Sequence, residues 1–456
     1  MKPPVKKNIN TIYKNNEIIC KSINSKKVLL IYTTRNDFDE FSLLCSMNQN
    51  YSNYEVFILD DSNDEKYINE INKFVSRFSK GVSVIRRRTN NGFKAGNINN
   101  FLSKFKNYDY FVLLDADEII PNDFIEKSIK YFDDEKVGIV QSNHTSNRYS
   151  NLFERIGSIG IFPGASMSLT MRNKYGIPTL YGHGAMISKD CYETNGGFPE
   201  IVSEDIGFLI DSLYNGYKII FANDIICDER FPVDYLSFRK RSVKWIQGNI
   251  ELFRKKWHKI ISLPVSIWKK IDLWLNITST SYSIFSFFII IFNFTILYPL
   301  GFKYTFLPLM VVFIVIFIIM PFVNQILYFF IIDRTYWYRA FWVIIFNYFL
   351  FPSLLLTTCI TIAVSFFGKK AKFIVTPKNS RKYSVLECVK YSWLELSFSI
   401  IFIIYFTLSY IFIPNVRNIN FIWIFLVTIP MLSTPILIYM SNIKSYKKLN
   451  KNKKLC

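Results

Sequence analysis

Cysteine is scarce, and its spacing carries no signal. The seven cysteines in 456 residues form neither a CxxC pair nor a Cys/His cluster, which argues against a zinc site and against a disulfide framework. Reduced thiols in a cytosolic or membrane setting are expected. Residues 1–27 are polar and rich in Lys and Asn, without an apolar core of signal-peptide length, so no secretion is expected and the first domain should stay cytosolic. Acidic residues are also in short supply: Asp plus Glu number 35 against 55 Lys plus Arg, a net charge of +20. A polyanion partner is one reading of such an excess. Here, however, much of it gathers in residues 239–270, 369–390 and 444–454, beside hydrophobic segments, as at a cytoplasmic membrane face that meets anionic lipid. No nucleic-acid partner is expected, and no internal repeat or low-complexity linker is present.

What is abundant is apolar and aromatic surface, at 50% and 18% of residues, with the excess after residue 270. Before that point, residues 28–33, 54–60, 82–86 and 110–115 are short apolar or β-branched runs separated by stretches of helical length, such as 38–49 and 68–78. This alternation predicts βαβ units and a mostly parallel sheet. Ligands of such sheets bind beyond the carboxyl ends of the strands, where Asp60 and Asp115 stand.

After residue 270, segments 274–300, 304–332, 340–367, 394–413 and 421–439 are each long enough, or nearly so, to cross a bilayer. If all five crossed, the seven Lys/Arg of 369–390 and the six Lys of 444–454 would both face away from the cytoplasm, against the positive-inside rule. Reading 340–367 as an interfacial or re-entrant pair broken at Pro352 leaves four spans and returns both basic stretches to the cytoplasmic side. The expected order is therefore a polar segment (1–27), a cytosolic α/β domain (28–256) and an interfacial helix rich in Trp, Ile and Lys (257–273). Two spans (274–332), the interfacial pair (340–367), a basic loop region (368–393), two more spans (394–441) and a basic tail (442–456) follow. A multi-pass protein of the cell membrane is expected, with the bilayer itself as a partner.

Several polar clusters carry chemistry. Asp115-Ala116-Asp117 follows an apolar strand, so its two carboxylates emerge on one side of the chain, a donor set suited to one hard cation, Mg2+ or Mn2+, bridging protein and diphosphate. Asp60 and Asp61 end another strand, where a carboxylate accepts hydrogen bonds from a base or ribose, and where Asp-Ser-Asn-Asp also favours a turn. Lys94 follows Arg86-Arg87-Arg88 and is placed to reach a diphosphate. Ser203-Glu204-Asp205 heads an apolar run and suits a helix start. As a functional element, Asp205 takes a proton from an acceptor hydroxyl and Glu204 supports it. Arg241 and Lys244 offer cations, and Trp245 an indole face on which a sugar ring can pack.

In their order and spacing, Asp60-Asp61-Ser62, Lys94-Ala95-Gly96-Asn97-Ile98-Asn99, Asp115-Ala116-Asp117, Gly182-His183-Gly184-Ala185, Gly196-Gly197-Phe198 and Ser203-Glu204-Asp205 resemble the membrane-embedded family 2 glycosyltransferases, the cellulose, chitin and hyaluronan synthases. The resemblance covers about residues 27–270. It implies an α/β GT-A (Rossmann-like) catalytic domain followed by an α-helical transmembrane domain. Phe373-Ile374-Val375-Thr376-Pro377-Lys378 resembles the gating loop of the bacterial cellulose synthases, which places Thr376 and Lys378 on the donor in a closed state. By the same resemblance Asp60 contacts the base, Lys94 the diphosphate, Asp115 the nucleotide and Asp117 the metal, with Asp205 as general base of an inverting displacement and Trp245 as acceptor platform. Arg241-Ser242-Val243-Lys244-Trp245 departs from the family's QxxRW: Gln is replaced, and Lys244 keeps the charge of the Arg but not its two-pronged fork. The implied reaction moves hexose from a nucleotide sugar, UDP-glucose first, to a growing β-linked polysaccharide. A lipid-linked acceptor, or a non-catalytic scaffold, is the alternative. Four spans are few for a polymer channel, which points to a homo-oligomer or a partner membrane subunit.

Overall fold

The computed structural model describes residues 26–79, 81–297, 300, 320–368, 378, 381–413 and 428–445. Seven strands form one sheet: β1 Val28–Thr34, β2 Tyr54–Asp60, β3 Val82–Arg86, β4 Tyr110–Asp115, β5 Val137–Thr145, β6 Ala185–Ser188 and β7 Lys218–Asp228. Their order is β3-β2-β1-β4-β6-β5-β7. β1 to β4 pair in parallel, as the alternation predicts, whereas β6 runs antiparallel to both β4 and β5. The sheet is therefore mostly parallel, as expected, and β6 makes it mixed.

The pleat sorts side chains between two cores. Leu29, Ile31, Leu59 and Leu113 point to a face covered by the helices Phe93–Lys104 and Glu204–Tyr214, where Ile98, Phe101, Phe208 and Leu209 meet them. Val28, Leu30, Tyr32, Ile58 and Leu114 point to the opposite face, against Leu43, Phe74 and Phe124. Burial on both faces explains why these strands are nearly continuous apolar runs. In register, Thr33 lies beside Asp115, and Thr34 beside Asp60. The strand ends thus bring their acids to one edge.

The later helices share a core with this domain. Phe153, Phe231, Tyr235 and Phe238 pack with Phe346, Leu350, Tyr383, Cys388 and Leu437, and the Tyr235 and Ser353 hydroxyls hydrogen bond at 2.9 Å. Residues 257–273 do not form one helix, contrary to expectation. They straddle the end of Tyr235–Ser262 and the start of Ile267–Phe292, because Pro264 forces Leu263 into an extended conformation (φ −53°, ψ 138°). Their apolar exposure remains: Ile261, Ile267 and Trp268 are each more than 60% accessible.

Among the described residues, one helix, Trp393–Phe412, is long and apolar enough to cross a membrane. Tyr338–Ser353 and Leu355–Phe366 are bent by 44° and add a second only if they form a single span. That break falls at Leu354, beside Pro352, where the sequence puts it. The expected segments 304–332 and 421–439 lie partly outside the described residues, as do Thr376, residues 1–25 and residues 446–456. Among the described residues, Cys191, Cys227, Cys359 and Cys388 are free thiols.

Candidate active site

A cavity opens at the carboxyl ends of β1, β2 and β4. Its walls include Thr33, Thr34, Arg35, Asp37, Asp61, Phe93, Lys94, Asn97, Asp115, Lys244 and Lys378. Lys94 reaches it because Gly92 (φ 71°) and Phe93 (φ 53°) turn the chain sharply into the helix Phe93–Lys104. Gly96 is required one turn on, where a Cβ would stand 2.1 Å from the Asn91 carbonyl oxygen. The Lys94 ammonium donates to Asp115 Oδ1 at 2.5 Å and to the Gly182 carbonyl at 2.9 Å.

Asp117 is paired in the same way, receiving Lys378 Nζ on Oδ1 at 2.6 Å across 261 residues of sequence. Burial pushes both carboxyls up, but the ammoniums outweigh it: Lys94 holds Asp115 well below the carboxylate range, and Lys378 lowers Asp117. Two cations of the chain thus already stand on these carboxylates. That is the behaviour of an oxygen donor set suited to a divalent metal.

The two strand-end acids after β2 separate in role. Asp61 lines the cavity and holds Arg87 through both oxygens, at 2.8 and 2.6 Å. Asp60, expected to contact the base, is enclosed: its side chain has no exposed surface, Oδ2 accepts from Arg86 at 2.7 Å, and Oδ1 accepts from the Ser62 N–H at 2.9 Å. Its carboxylate is consumed in joining β2 to β3, and it does not line the cavity.

Ser203-Glu204-Asp205 is both a helix start and part of the site. Glu204 and Asp205 form the first turn of Glu204–Tyr214, and the Asp205 Cβ lies 3.1 Å from where a Cβ on Gly182 would stand. Gly182 is the residue whose carbonyl Lys94 holds, so Lys94 links Asp115 to the Gly182 loop, against which Asp205 packs. Burial, reinforced by Asp205, pushes Glu204 up to about 7, and burial also raises Asp205. Burial lowers Lys244, against the opposing charges of Glu204 and Asp115. Trp245 is 41% exposed, with the Arg241 guanidinium 4.3 Å above its ring.

Sequence reasoning missed Asp37, Arg35 and Phe93. Asp37 accepts from the Thr34 hydroxyl at 2.9 Å and from the Arg35 N–H at 2.8 Å, and an Asp three residues past a strand end looks like any turn former. It also missed Glu118 and His144, whereas His183 was named only within the Gly182-His183-Gly184-Ala185 match. Glu118, next to Asp117, faces His144 and His183.

Residues 110–439 match the family model described as glycosyl transferase family group 2. The probable glucomannan 4-beta-mannosyltransferase 10 of Arabidopsis thaliana is 27% identical over 230 residues, which is 48% of this chain and 41% of the plant protein. Among solved structures, the mannosyltransferase PcManGT of Pyrobaculum calidifontis, in complex with GDP-Man and Mn2+, aligns with 73% of this chain and 87% of its own at 17% identity and a TM-score of 0.43. TarS of S. aureus (residues 1–349) in complex with UDP-GlcNAc aligns with 75% of this chain and 89% of its own at 14% identity and a TM-score of 0.39. With the family match extending over well more than half of its length, the chain belongs to glycosyl transferase family group 2.

Proposed function

We propose that this chain is an inverting, metal-dependent hexosyltransferase that extends a β-linked polysaccharide at the membrane from a nucleotide sugar. The observation that carries the proposal is the convergence of Asp61, Lys94, Asp115, Lys244 and Lys378 on one cavity, with Glu204 and Asp205 beside Lys94. Asp61 with Arg87 serves the nucleoside end. Lys94, Lys244 and Lys378 serve the diphosphate, where negative charge grows as the sugar leaves. Asp115 and Asp117 hold the divalent cation, Mg2+ or Mn2+, which when bound supplies further neutralisation of that charge.

Asp205 accepts the proton of the acceptor hydroxyl as its oxygen bonds to the anomeric carbon and the bond to the diphosphate breaks. Its raised proton affinity suits a base working near neutral pH. Trp245 offers the acceptor ring a flat apolar face. Thr376, by resemblance, joins Lys378 on the donor. The exposed apolar residues of 257–275 and the helix Trp393–Phe412 support a membrane location.

UDP-glucose is the first donor to test, and the plant relative's name adds a mannosyl donor. Purified full-length protein in detergent, given radiolabelled nucleotide sugars with Mg2+ or Mn2+, should build long product from one of them. Single-sugar additions that partition into organic solvent would point instead to a lipid-linked acceptor.

A further inference from the structure

The chain has only three histidines, and two of them face the same buried acid behind the cavity. Glu118 Oε1 lies 3.2 Å from His183 Nδ1 and 3.8 Å from His144 Nδ1. All three atoms are buried, and none has a hydrogen-bond partner. Glu118 and His144 side chains are 0% and 2% exposed. The Glu118–His183 contact is an ion pair without hydrogen-bond alignment, and His144 Nδ1 is left with no partner nearer than 3.8 Å; buried polar atoms so placed are costly unless something joins them.

We infer that Glu118, His144 and His183 form a second metal site, distinct from the Asp115/Asp117 pair, that takes a zinc-class divalent cation. Zinc arms of about 2.0–2.2 Å put tetrahedral ligand atoms about 3.3–3.6 Å apart; the two carboxylate–imidazole separations, 3.2 and 3.8 Å, lie on either side of that spacing, and the three ligand atoms, all within 4.8 Å of one another, draw together on binding. Glycine keeps the space open: at Gly184 a Cβ would stand 2.4 Å from Glu118 Oε1 and 2.8 Å from His144.

Outer partners orient the ligands. Glu118 Oε2 accepts the Gly184 N–H at 2.9 Å, and His183 Nε2 faces Glu229 Oε2 at 3.4 Å. Two carboxylates, Glu118 and Glu229, therefore balance a double positive charge. His144 Nε2 stands 3.0 Å from the Gln141 amide nitrogen. Ligation through Nδ1 leaves the proton on Nε2, so this amide turns its oxygen to the ring, releasing the Tyr181 N–H it now accepts and the Ser142, His183 and Gly184 carbonyls to which its nitrogen now donates.

The ligands come from the β4 end, from β5 and from the loop before β6, so their spacing has no motif. Being enclosed, the site is structural: it pins the residue next to Asp117.

The test is metal content. Full-length protein from zinc-supplemented cells, desalted and analysed by plasma mass spectrometry, should retain about one zinc per chain. D117N should keep it, and an H144Q/H183Q double variant should lose it. Chelator-treated wild-type protein should take up about one Co2+ with the visible absorption of a four-coordinate site, a measurement that needs no variant to fold. Wild-type protein that holds no stoichiometric zinc and takes up no Co2+, or a metal lost in D117N and kept in H144Q/H183Q, would overturn the assignment.

Discussion

At the strand ends, Asp60, Asp61, Asp115 and Asp117 each hold an arginine or lysine at 2.5 to 2.7 Å. Across the cavity, Glu204 and Asp205 stand side by side, and no comparable ion pair involves either of them among the described residues. Within the first group, Lys94 and Lys378 hold Asp115 and Asp117 below the ordinary carboxylate range, as a metal seat requires, Asp61 keeps Arg87 at the cavity wall, and Asp60 is enclosed with Arg86 away from it. The second group is buried against its own like charge, and its proton affinity is raised. The neighbours of Asp115 and Asp117 on one side, and of Glu204 and Asp205 on the other, thus set four carboxylates for two kinds of work.

The contrast breaks most plainly if the base is removed. D205N should lower kcat by about 10²–10⁴-fold with nucleotide affinity unchanged, read by transfer kinetics beside nucleotide titration. Retained turnover would put the base elsewhere. Lys378 tests the paired side. Because its ammonium stands on a metal carboxylate, K378M should tighten Mn2+ binding in the absence of donor by about tenfold, followed by electron paramagnetic resonance, while slowing transfer. Unchanged Mn2+ affinity would mean that lysine and metal do not share a seat.

The unpaired side should respond to pH. Glu204 lies at about 7 against an ordinary 4.5, so between these values the folded chain holds a proton that the unfolded chain has lost. Its contribution to stability is complete below 4.5 and is lost as pH rises through 7, while transfer activity rises as the pair gives up its proton. E204Q should flatten the stability profile measured by denaturant unfolding across that window. The smallest effect separates two adjacent acids. D60N should cost about 1–3 kcal/mol of stability by leaving Arg86 without its carboxylate and barely change KM, whereas D61N should raise KM for the donor.

Much of this was legible in the sequence, for reasons of range. The strands β1 to β4 and the acids at their ends follow from local alternation and strand length. β6 is only four residues long and antiparallel, and it carries no such signal. Asp60 and Asp61 look equivalent in the sequence, and only the register with β3 shows that Arg86 closes over one of them. Pro264 breaks the segment read as one interfacial helix, because the residue before a proline is kept out of the helical region. Lys378 could be placed near the donor only by resemblance, because its partner lies 261 residues away. The Glu118, His144 and His183 cluster, drawn from three separate elements, had no spacing to betray it.

The central claim is that the strand-end cavity and the Glu204/Asp205 pair form one transfer site. It is tested most directly by incubating purified wild-type and D205N protein with a panel of radiolabelled nucleotide sugars, with and without Mn2+. Metal-dependent incorporation of hexose from one donor, abolished in D205N, is the predicted result. Incorporation that is equal in the two proteins, or absent with every donor, would contradict the account.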